Sequence, residues 1–135
     1  KIEKIYSEKE EFLLDFIVKI IILLLKEYQV NVPIHRVSKL KEQGYDITGT
    51  KSDLIVKMCR AVKAKNFIFG TLGRTYMNKK TFDDNNINYY FQNFEHPKYK
   101  QLHGEFVSNM SSIDLLFNHG KDSIEILGKS LGDTK

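Results

Sequence analysis

The sequence predicts a protein of the α/β class, a layered domain with short, mostly parallel strands flanked by helices. Three observations support this prediction. Apolar residues recur at helical spacing in several segments, short β-branched or aromatic runs alternate with those segments, and the connections are short. Because three predicted strands are few for a doubly wound sheet, we expect this chain to form part of a larger α/β fold.

Length and composition predict a single domain over residues 1–135. A chain of 135 residues with 41% hydrophobic and 28% charged residues can bury a sizeable core. The one cysteine, Cys59, excludes an internal disulfide framework. It falls on the apolar side of a predicted helix, where a buried thiol is expected. These features favour a cytoplasmic protein.

The N-terminal segment predicts a core helix. Ser7–Glu10 has the pattern of a capping box, which places the helix start near residue 8. Asp15 and Lys19 interrupt the apolar run, so it is neither a membrane span nor a signal peptide. An alternative role for the helix is binding a partner helix or a membrane surface. The apolar positions at helical spacing are Phe12, Phe16, Ile20 and Leu24.

The middle of the chain predicts strand, helix and strand in turn. Val32–Val37 is β-branched, and Lys39–Gly49 is a polar connection that could hold a short helical turn. Thr50–Asp53 is a second capping box, which opens an amphipathic helix. Asn66–Phe69 follows as a short buried strand.

The C-terminal part continues the alternation. Thr81–Asn86 suits a brief helix or turn, and the alternating pattern of residues 87–93 predicts a strand. Ser111–Asp114 is a third capping box, and Gly120 is placed to end the helix that it opens. A last helix is expected over Asp122–Leu127, with a frayed tail after Gly128.

The loop Gly70–Tyr76 lies within the strongly basic part of the sequence. No acidic residue occurs between Asp53 and Asp83, whereas seven basic residues do: Lys57, Arg60, Lys63, Lys65, Arg74, Lys79 and Lys80. Glycines allow backbone N–H groups to approach a ligand, and loops after strands carry ligand sites in α/β folds. We therefore predict a phosphate-binding loop, with Gly70, Gly73, Arg74 and Tyr76 as ligand-binding residues. The alternatives are turn geometry for the glycines, a solvated Arg74 and a core-edge role for Tyr76.

Residues 50–120 resemble the WbqC-like protein family in successive blocks. The blocks are Lys51–Leu54, Phe69–Tyr76 with Phe82, Ile87–Phe91, Phe94–Gln101, and Phe106 with Ser111–Gly120. They follow the family's order and spacing, while the family's opening region, with its glycine-rich first strand-to-helix turn, is absent. The resemblance implies the C-terminal portion of a WbqC-like protein. It also implies a role in bacterial surface-polysaccharide biosynthesis of the O-antigen type, where glycine transfer has been suggested for some members.

Further candidate site residues come from the same blocks. We predict that Lys51, Tyr99 and Gln101 contact the ligand and that Asp53 and His96 act in acid–base chemistry, with His96 as a general base. His96 is expected to converge with Arg74, Lys51 and Tyr76 at the loop. The alternatives are a hydrogen-bonded structural histidine and a helix-capping aspartate. The four histidines have no metal-ligand spacing, so no metal is predicted, and the sequence indicates no particular cofactor.

Three functions from different classes are compatible with the sequence. The first is a transferase component of polysaccharide biosynthesis that binds a phosphate-bearing small molecule or a nucleotide-sugar. The second is a non-catalytic scaffold or binding subunit of a polysaccharide assembly complex. A homodimer or an assembly partner is the protein partner expected. The third, which ranks last, is a nucleic-acid-binding module that uses the basic residues with Phe67, Phe69 and Tyr76.

Overall fold

The computed structural model describes residues 1–130 and has the mixed α/β character that the sequence predicts. Its helices are α1 (Ile2–Ser7), α2 (Leu13–Glu27), α3 (Val37–Glu42), α4 (Lys51–Ala61), α5 (Lys79–Asp83), α6 (Ser112–His119) and α7 (Ser123–Ser130). Its strands are β1 (Asn66–Phe69) and β2 (Asn88–Phe91), and 3₁₀ helices span Thr71–Thr75 and Gly120–Asp122.

The chain divides into two compact units. The central unit is the continuous segment Pro33–Asn93. The terminal unit combines Lys1–Val32 with the chain from Phe94 onward. Each unit is described by itself below.

The central unit is built around the parallel pair of β1 and β2. The register pairs Asn66 with Asn88 and Phe69 with Phe91. Parallel strands need a crossover connection, and residues 70–87 supply it through the 3₁₀ helix Thr71–Thr75 and α5. The core lies between this pair, α4 and α5, and its fully buried side chains are Val56, Cys59, Phe69, Phe82 and Ile87.

The terminal unit is helical and has a small aromatic core. Tyr28, Tyr99 and Leu115 are buried together, and the Tyr28 hydroxyl donates a hydrogen bond to the Ser112 carbonyl oxygen at 2.7 Å. The long helix α2 contacts α1 and α6. Six large apolar side chains of α2 and of the residue before it are exposed among the described residues: Phe12, Leu13, Leu14, Ile17, Ile21 and Ile22.

The N-terminal helix does not begin where the capping-box pattern places it. Helix α1 already ends at Ser7, and α2 begins only at Leu13. The carboxylates of Glu8 and Glu10 instead bind the ammonium group of Lys19. The expected capping hydrogen bonds are therefore absent, and both carboxylates form ion pairs with a lysine inside α2 instead.

The predicted strand Val32–Val37 is also wrong. The segment is irregular up to Arg36, and α3 begins at Val37. A strand needs a neighbour for its backbone groups. Within residues 1–130, β1 pairs only with β2 and leaves this segment without one. The β-branched residues therefore favour an extended strand, but the segment has no strand to pair with.

Several other elements are confirmed. Helix α4 and strand β1 lie where predicted, although the Thr50 side chain makes no capping hydrogen bond. Strand β2 is shorter than predicted, and Ser111 caps α6 by accepting from the Ile113 N–H at 3.3 Å. Gly120 ends α6 with a positive φ of 53°. Helix α7 extends beyond the predicted Leu127, and the rest of the predicted frayed tail, residues 131–135, lies outside the described residues.

Candidate functional site

The carboxyl ends of β1 and β2 form the best-defined candidate site of the central unit. The two strands end side by side at Phe69 and Phe91, and the Gln92 N–H donates to the Phe69 carbonyl oxygen at 2.8 Å. The chain leaves β1 through Gly70 into the 3₁₀ helix Thr71–Thr75. Ligands of α/β proteins bind outside the carboxyl ends of parallel strands. The predicted loop therefore occupies the expected place for a ligand site.

Arg74 lies across this edge. Its guanidinium carbon is 4.4 Å from the centroid of the Phe91 ring, at the distance of a cation–π contact. Arg74 is exposed and forms no ion pair within residues 1–130. The aromatic ring restrains the guanidinium plane, while the N–H edges stay free to donate. This is the arrangement that suits bidentate binding of a phosphate or carboxylate.

The two glycines of the loop differ in environment. A Cβ added at Gly73 would lie 2.5 Å from the Phe69 Cβ, whereas a Cβ added at Gly70 would meet nothing within 4 Å. Gly73 is therefore explained by close packing on the end of β1. Gly70 is exposed and leaves open space beside the backbone where the chain turns away from the sheet.

Tyr76 follows the 3₁₀ helix and is only partly covered by the core. Its ring makes an edge-on contact with Phe69 at a centroid distance of 6.0 Å. The side chain is 43% exposed, and its hydroxyl has no hydrogen-bond partner among the described residues. It thus closes one edge of the core and still offers a hydroxyl to solvent.

The start of α4 is tied to the segment that follows the loop. The buried Ser52 hydroxyl accepts a hydrogen bond from the Asn78 N–H at 2.8 Å. The neighbours of Ser52, Lys51 and Asp53, are both exposed. Neither has a side-chain partner in the described part of the chain. Lys51 has a positive φ of 50°, which is uncommon for a residue with a side chain.

The remaining predicted residues, His96, Tyr99 and Gln101, belong to the terminal unit and gather near Asp114. The Tyr99 hydroxyl donates to Asp114 Oδ2 at 2.8 Å, and Gln101 Nε2 donates to the same oxygen at 3.1 Å. The His96 ring contacts Tyr99 at a centroid distance of 5.9 Å and also Phe106. The structure thus places three of the nine predicted residues in the terminal unit, two of them bonded to Asp114, and the other six in the central unit.

His96 and Tyr99 sit in contrasting environments. The His96 Nδ1 atom is buried with no hydrogen-bond partner among residues 1–130. An orphaned buried N–H is rarer than an orphaned acceptor, so this favours the tautomer with hydrogen on Nε2. Burial and the hydrogen bond to Asp114 raise the pKa of Tyr99 above its usual value, and burial raises that of Tyr28.

Other reactive groups are placed without an evident role in the candidate site. Burial raises the pKa of the Cys59 thiol, which opposes formation of a nucleophilic thiolate. Within residues 1–130, no three of the His, Cys, Asp and Glu side chains are grouped so as to hold a metal ion. No helix of the same residues combines the length and the apolar character needed to cross a bilayer.

Sequence reasoning missed two residues that shape this site. Phe91 supports Arg74, and Ser52 connects α4 to the segment after the loop. The alternation in residues 87–93 did indicate a strand face. Only the pairing of β1 with β2, however, brings Phe91 beside the loop. Ser52 is a polar residue in a polar helix turn, and nothing in the pattern marks it as buried.

Comparison with known proteins identifies the family. The model of the WbqC-like protein family matches residues 1–126. The chain belongs to the WbqC-like protein family. Among curated proteins, this WbqC-like chain is 29% identical over 84 residues to uncharacterized protein Rv1507c of Mycobacterium tuberculosis. The match covers 62% of this chain and 36% of that protein, so the aligned part spans about a third of the relative. No solved structure is significantly similar to the chain.

Proposed function

We propose that this WbqC-like chain binds a phosphate-bearing small molecule at the carboxyl ends of β1 and β2. The observation that carries the proposal is the Arg74 guanidinium, stacked on Phe91 and free of an acidic partner within residues 1–130. A guanidinium held by a ring has lost part of its conformational freedom before a ligand arrives. Less entropy is then lost when the anion binds.

The surrounding charges support an anionic ligand. Two lysines of the basic segment are neutralised, since Lys57 pairs with Asp46 at 2.6 Å and Lys80 pairs with Asp84 at 2.6 Å. Arg74 has no such neighbour among the described residues and is the first basic residue after β1 in the sequence. Arg74 thus keeps its positive charge beside the carboxyl end of β1, where it can attract an anion.

Family membership leads to a proposal for the biological role. We propose a transferase component of bacterial surface-polysaccharide biosynthesis of the O-antigen type, with a nucleotide-sugar as the phosphate-bearing ligand. Transfer of an amino acid such as glycine to a sugar is the reaction that we propose for it. Lys51, Gly70 and Tyr76 would complete the ligand contacts in the central unit, while Gly73 supports the loop by packing on Phe69.

The acid–base residues of this proposal are Asp53 and His96. Asp53 is exposed at the first turn of α4, where a carboxylate also interacts favourably with the helix dipole. His96, with Tyr99 and Gln101 near it, belongs to the terminal unit. In the favoured tautomer, its Nε2 carries the hydrogen and can donate it. We therefore propose an acid or hydrogen-bonding role for His96 in place of a general base.

The test measures pyrophosphate and nucleotide-sugar binding by isothermal titration calorimetry. Arg74→Ala should weaken pyrophosphate binding by about 1.5–3 kcal/mol, the usual value of a hydrogen-bonded charged group, which corresponds to roughly 10- to 150-fold. The matched control is Arg60→Ala. Arg60 is an exposed arginine of α4 in the same basic segment, also without an ion pair among the described residues.

Three outcomes separate the possibilities. A large loss for Arg74→Ala with little change for Arg60→Ala supports a defined phosphate site. Equal losses would mean diffuse attraction to the basic segment, and unchanged affinity in both variants would overturn the assignment of Arg74. Both variant proteins should keep the unfolding temperature of the parent within a few degrees, since both arginines are exposed.

The exposed apolar face of α2 favours a second candidate function, a non-catalytic binding subunit. Large contiguous apolar patches on a soluble surface usually mark an interaction site. This function predicts tight association with a second protein or a second copy and no response to any phosphate compound. Sedimentation over a range of concentrations, with and without Ile17→Lys, would test self-association directly.

A further inference from the structure

The terminal unit contains a cavity that the proposed function does not use. Its volume is about 480 Å³, within the range of roughly 300–1,000 Å³ found for small-molecule sites. The cavity lies between α1, α2, α6 and the turn that follows α6, and it opens to solvent. Six apolar side chains line it: Ile2, Leu23, Leu24, Ile113, Leu116 and Phe117.

Four charged side chains line the same cavity. Lys1 Nζ and Glu27 Oε1 are 2.6 Å apart and neutralise each other. Glu3 and Lys121, by contrast, have no ion-pair partner within residues 1–130. Both are exposed to solvent. The apolar interior is therefore bordered by one free carboxylate and one free ammonium group.

We propose that this cavity binds the hydrocarbon chain of a zwitterionic amphiphile. The cationic group of its head lies against Glu3 and the anionic group against Lys121. A head of single charge would gain one favourable contact and meet one like charge, whereas a zwitterion complements both groups. The six apolar side chains accommodate the hydrocarbon chain, because they have no hydrogen bonds to offer to a polar group.

Phe117 gives access to the cavity wall without disturbing the core. It lines the cavity but is 78% exposed, so the folded chain buries little of it. A bound hydrocarbon chain would cover part of this ring. Phe117→Ala should therefore cost little stability and weaken chain binding by about tenfold, as expected for part of a buried aromatic side chain.

The test uses alkylphosphocholines below the concentration at which they form micelles. Binding to the protein is measured by calorimetry for octyl- and decylphosphocholine, with free phosphocholine as the chain-free probe. Each added methylene should strengthen binding about fourfold until the cavity is filled. Decanoate and decyltrimethylammonium, which carry the same chain on a singly charged head, should bind more weakly than decylphosphocholine.

Charge reversals at the two free groups sharpen the test. Lys121→Glu should weaken decylphosphocholine and strengthen decyltrimethylammonium, while Glu3→Lys should weaken decylphosphocholine and strengthen decanoate. Lys98→Glu is the matched control, an exposed lysine of the terminal unit that does not line the cavity. For Phe117→Ala the control is Leu102→Ala, which is equally exposed and lies outside the lining.

The proposal is overturned by either of two results. The first is absence of chain-length dependence, with free phosphocholine binding as well as the decyl compound. The second is an equal effect of Phe117→Ala and Leu102→Ala, or of Lys121→Glu and Lys98→Glu. The chain-length dependence should be the same in Arg74→Ala, which removes the proposed phosphate contact of the central unit, so failure here is distinguishable from failure of the phosphate site.

Discussion

At the scale of single residues, the two loop glycines show that one sequence motif can contain two different physical requirements. Gly73 is buried against Phe69, and its hydrogen atom occupies the position that any side chain would need. Gly70 is exposed and has a φ of −69°, a value open to every residue. The sequence alone presents them as equivalent, and only their neighbours separate them.

This difference leads to a prediction for stability. Gly73→Ala should lower the free energy of unfolding by about 1–3 kcal/mol, because the new methyl group overlaps the Phe69 side chain. Gly70→Ala should be neutral or stabilising by up to about 1 kcal/mol, since alanine reduces the freedom of the unfolded chain. Urea unfolding monitored by circular dichroism measures both. Similar values for the two variants would contradict the packing explanation of Gly73.

At the scale of elements, the polar face of α6 holds the segment that precedes it in the chain. Asp114 receives hydrogen bonds from Tyr99 and Gln101, and Asn118 Oδ1 accepts from the Leu102 N–H at 2.8 Å. Gln101 also bonds Val107 in both directions, through Nε2 to the carbonyl oxygen and through Oε1 from the N–H. These side chains thus supply hydrogen-bond partners for backbone groups of an irregular segment. In a sheet, a neighbouring strand would supply those partners.

Tyr99 makes this contact pH-dependent. The pKa of its phenol is raised by burial and by donation to Asp114, from an ordinary value near 10. Between that value and the higher folded pKa, the unfolded chain loses the proton while the folded chain keeps it. The stabilisation is therefore complete below about pH 10 and is lost as the pH rises through the folded pKa.

We predict that Tyr99→Phe removes this contribution. At pH 8 the free energy of unfolding should fall by about 1–3 kcal/mol, because the hydrogen bond to Asp114 is lost. The difference between the variant and the parent should shrink when urea unfolding is repeated above pH 10. Tyr90→Phe is the control, since Tyr90 is exposed and its hydroxyl has no partner among the described residues. A difference that stays constant with pH would contradict the role of the phenol proton.

At the scale of the whole molecule, charge separates a small phosphate ligand from a nucleic acid. The chain carries a net charge of +4, and its basic residues concentrate between Asp53 and Asp83. A protein that neutralises 6–10 phosphates loses about 10³- to 10⁵-fold in affinity between roughly 50 and 200 mM salt. A single site centred on Arg74 involves far fewer charges.

We therefore predict that salt weakens pyrophosphate binding by less than about tenfold over the same range. A single-stranded oligonucleotide serves as the comparison in the same calorimetric experiment. Weak oligonucleotide binding that is lost at higher salt is expected. Tight oligonucleotide binding with the steeper salt dependence, and no pyrophosphate binding at either concentration, would instead support the nucleic-acid-binding function.

The division into two units bears on how the predicted residues can act together. Lys51, Asp53, Gly70, Gly73, Arg74 and Tyr76 share the central unit, and His96, Tyr99 and Gln101 share the terminal unit. A single domain over residues 1–135 stays a prediction, as does the convergence of His96 with Arg74. The phosphate site and the cavity each lie within one unit, so each can be tested independently of that convergence.

The α/β class, helices α4 and α6, strand β1 and the basic loop after it could all be predicted from the sequence. These features depend on local spacing, on charge and on chain order, all of which are visible in the residues. Contacts between distant parts of the chain could not be predicted in this way. They pair β1 with β2, which brings Phe91 to Arg74, pack Gly73 on Phe69, and bond Tyr99 and Gln101 to Asp114. They also leave Val32–Val37 without a strand partner. The physical reason is that the local preference of a segment for helix or strand is weak. Packing and pairing with residues distant in the chain can outweigh it, and the local pattern does not show which residues those are.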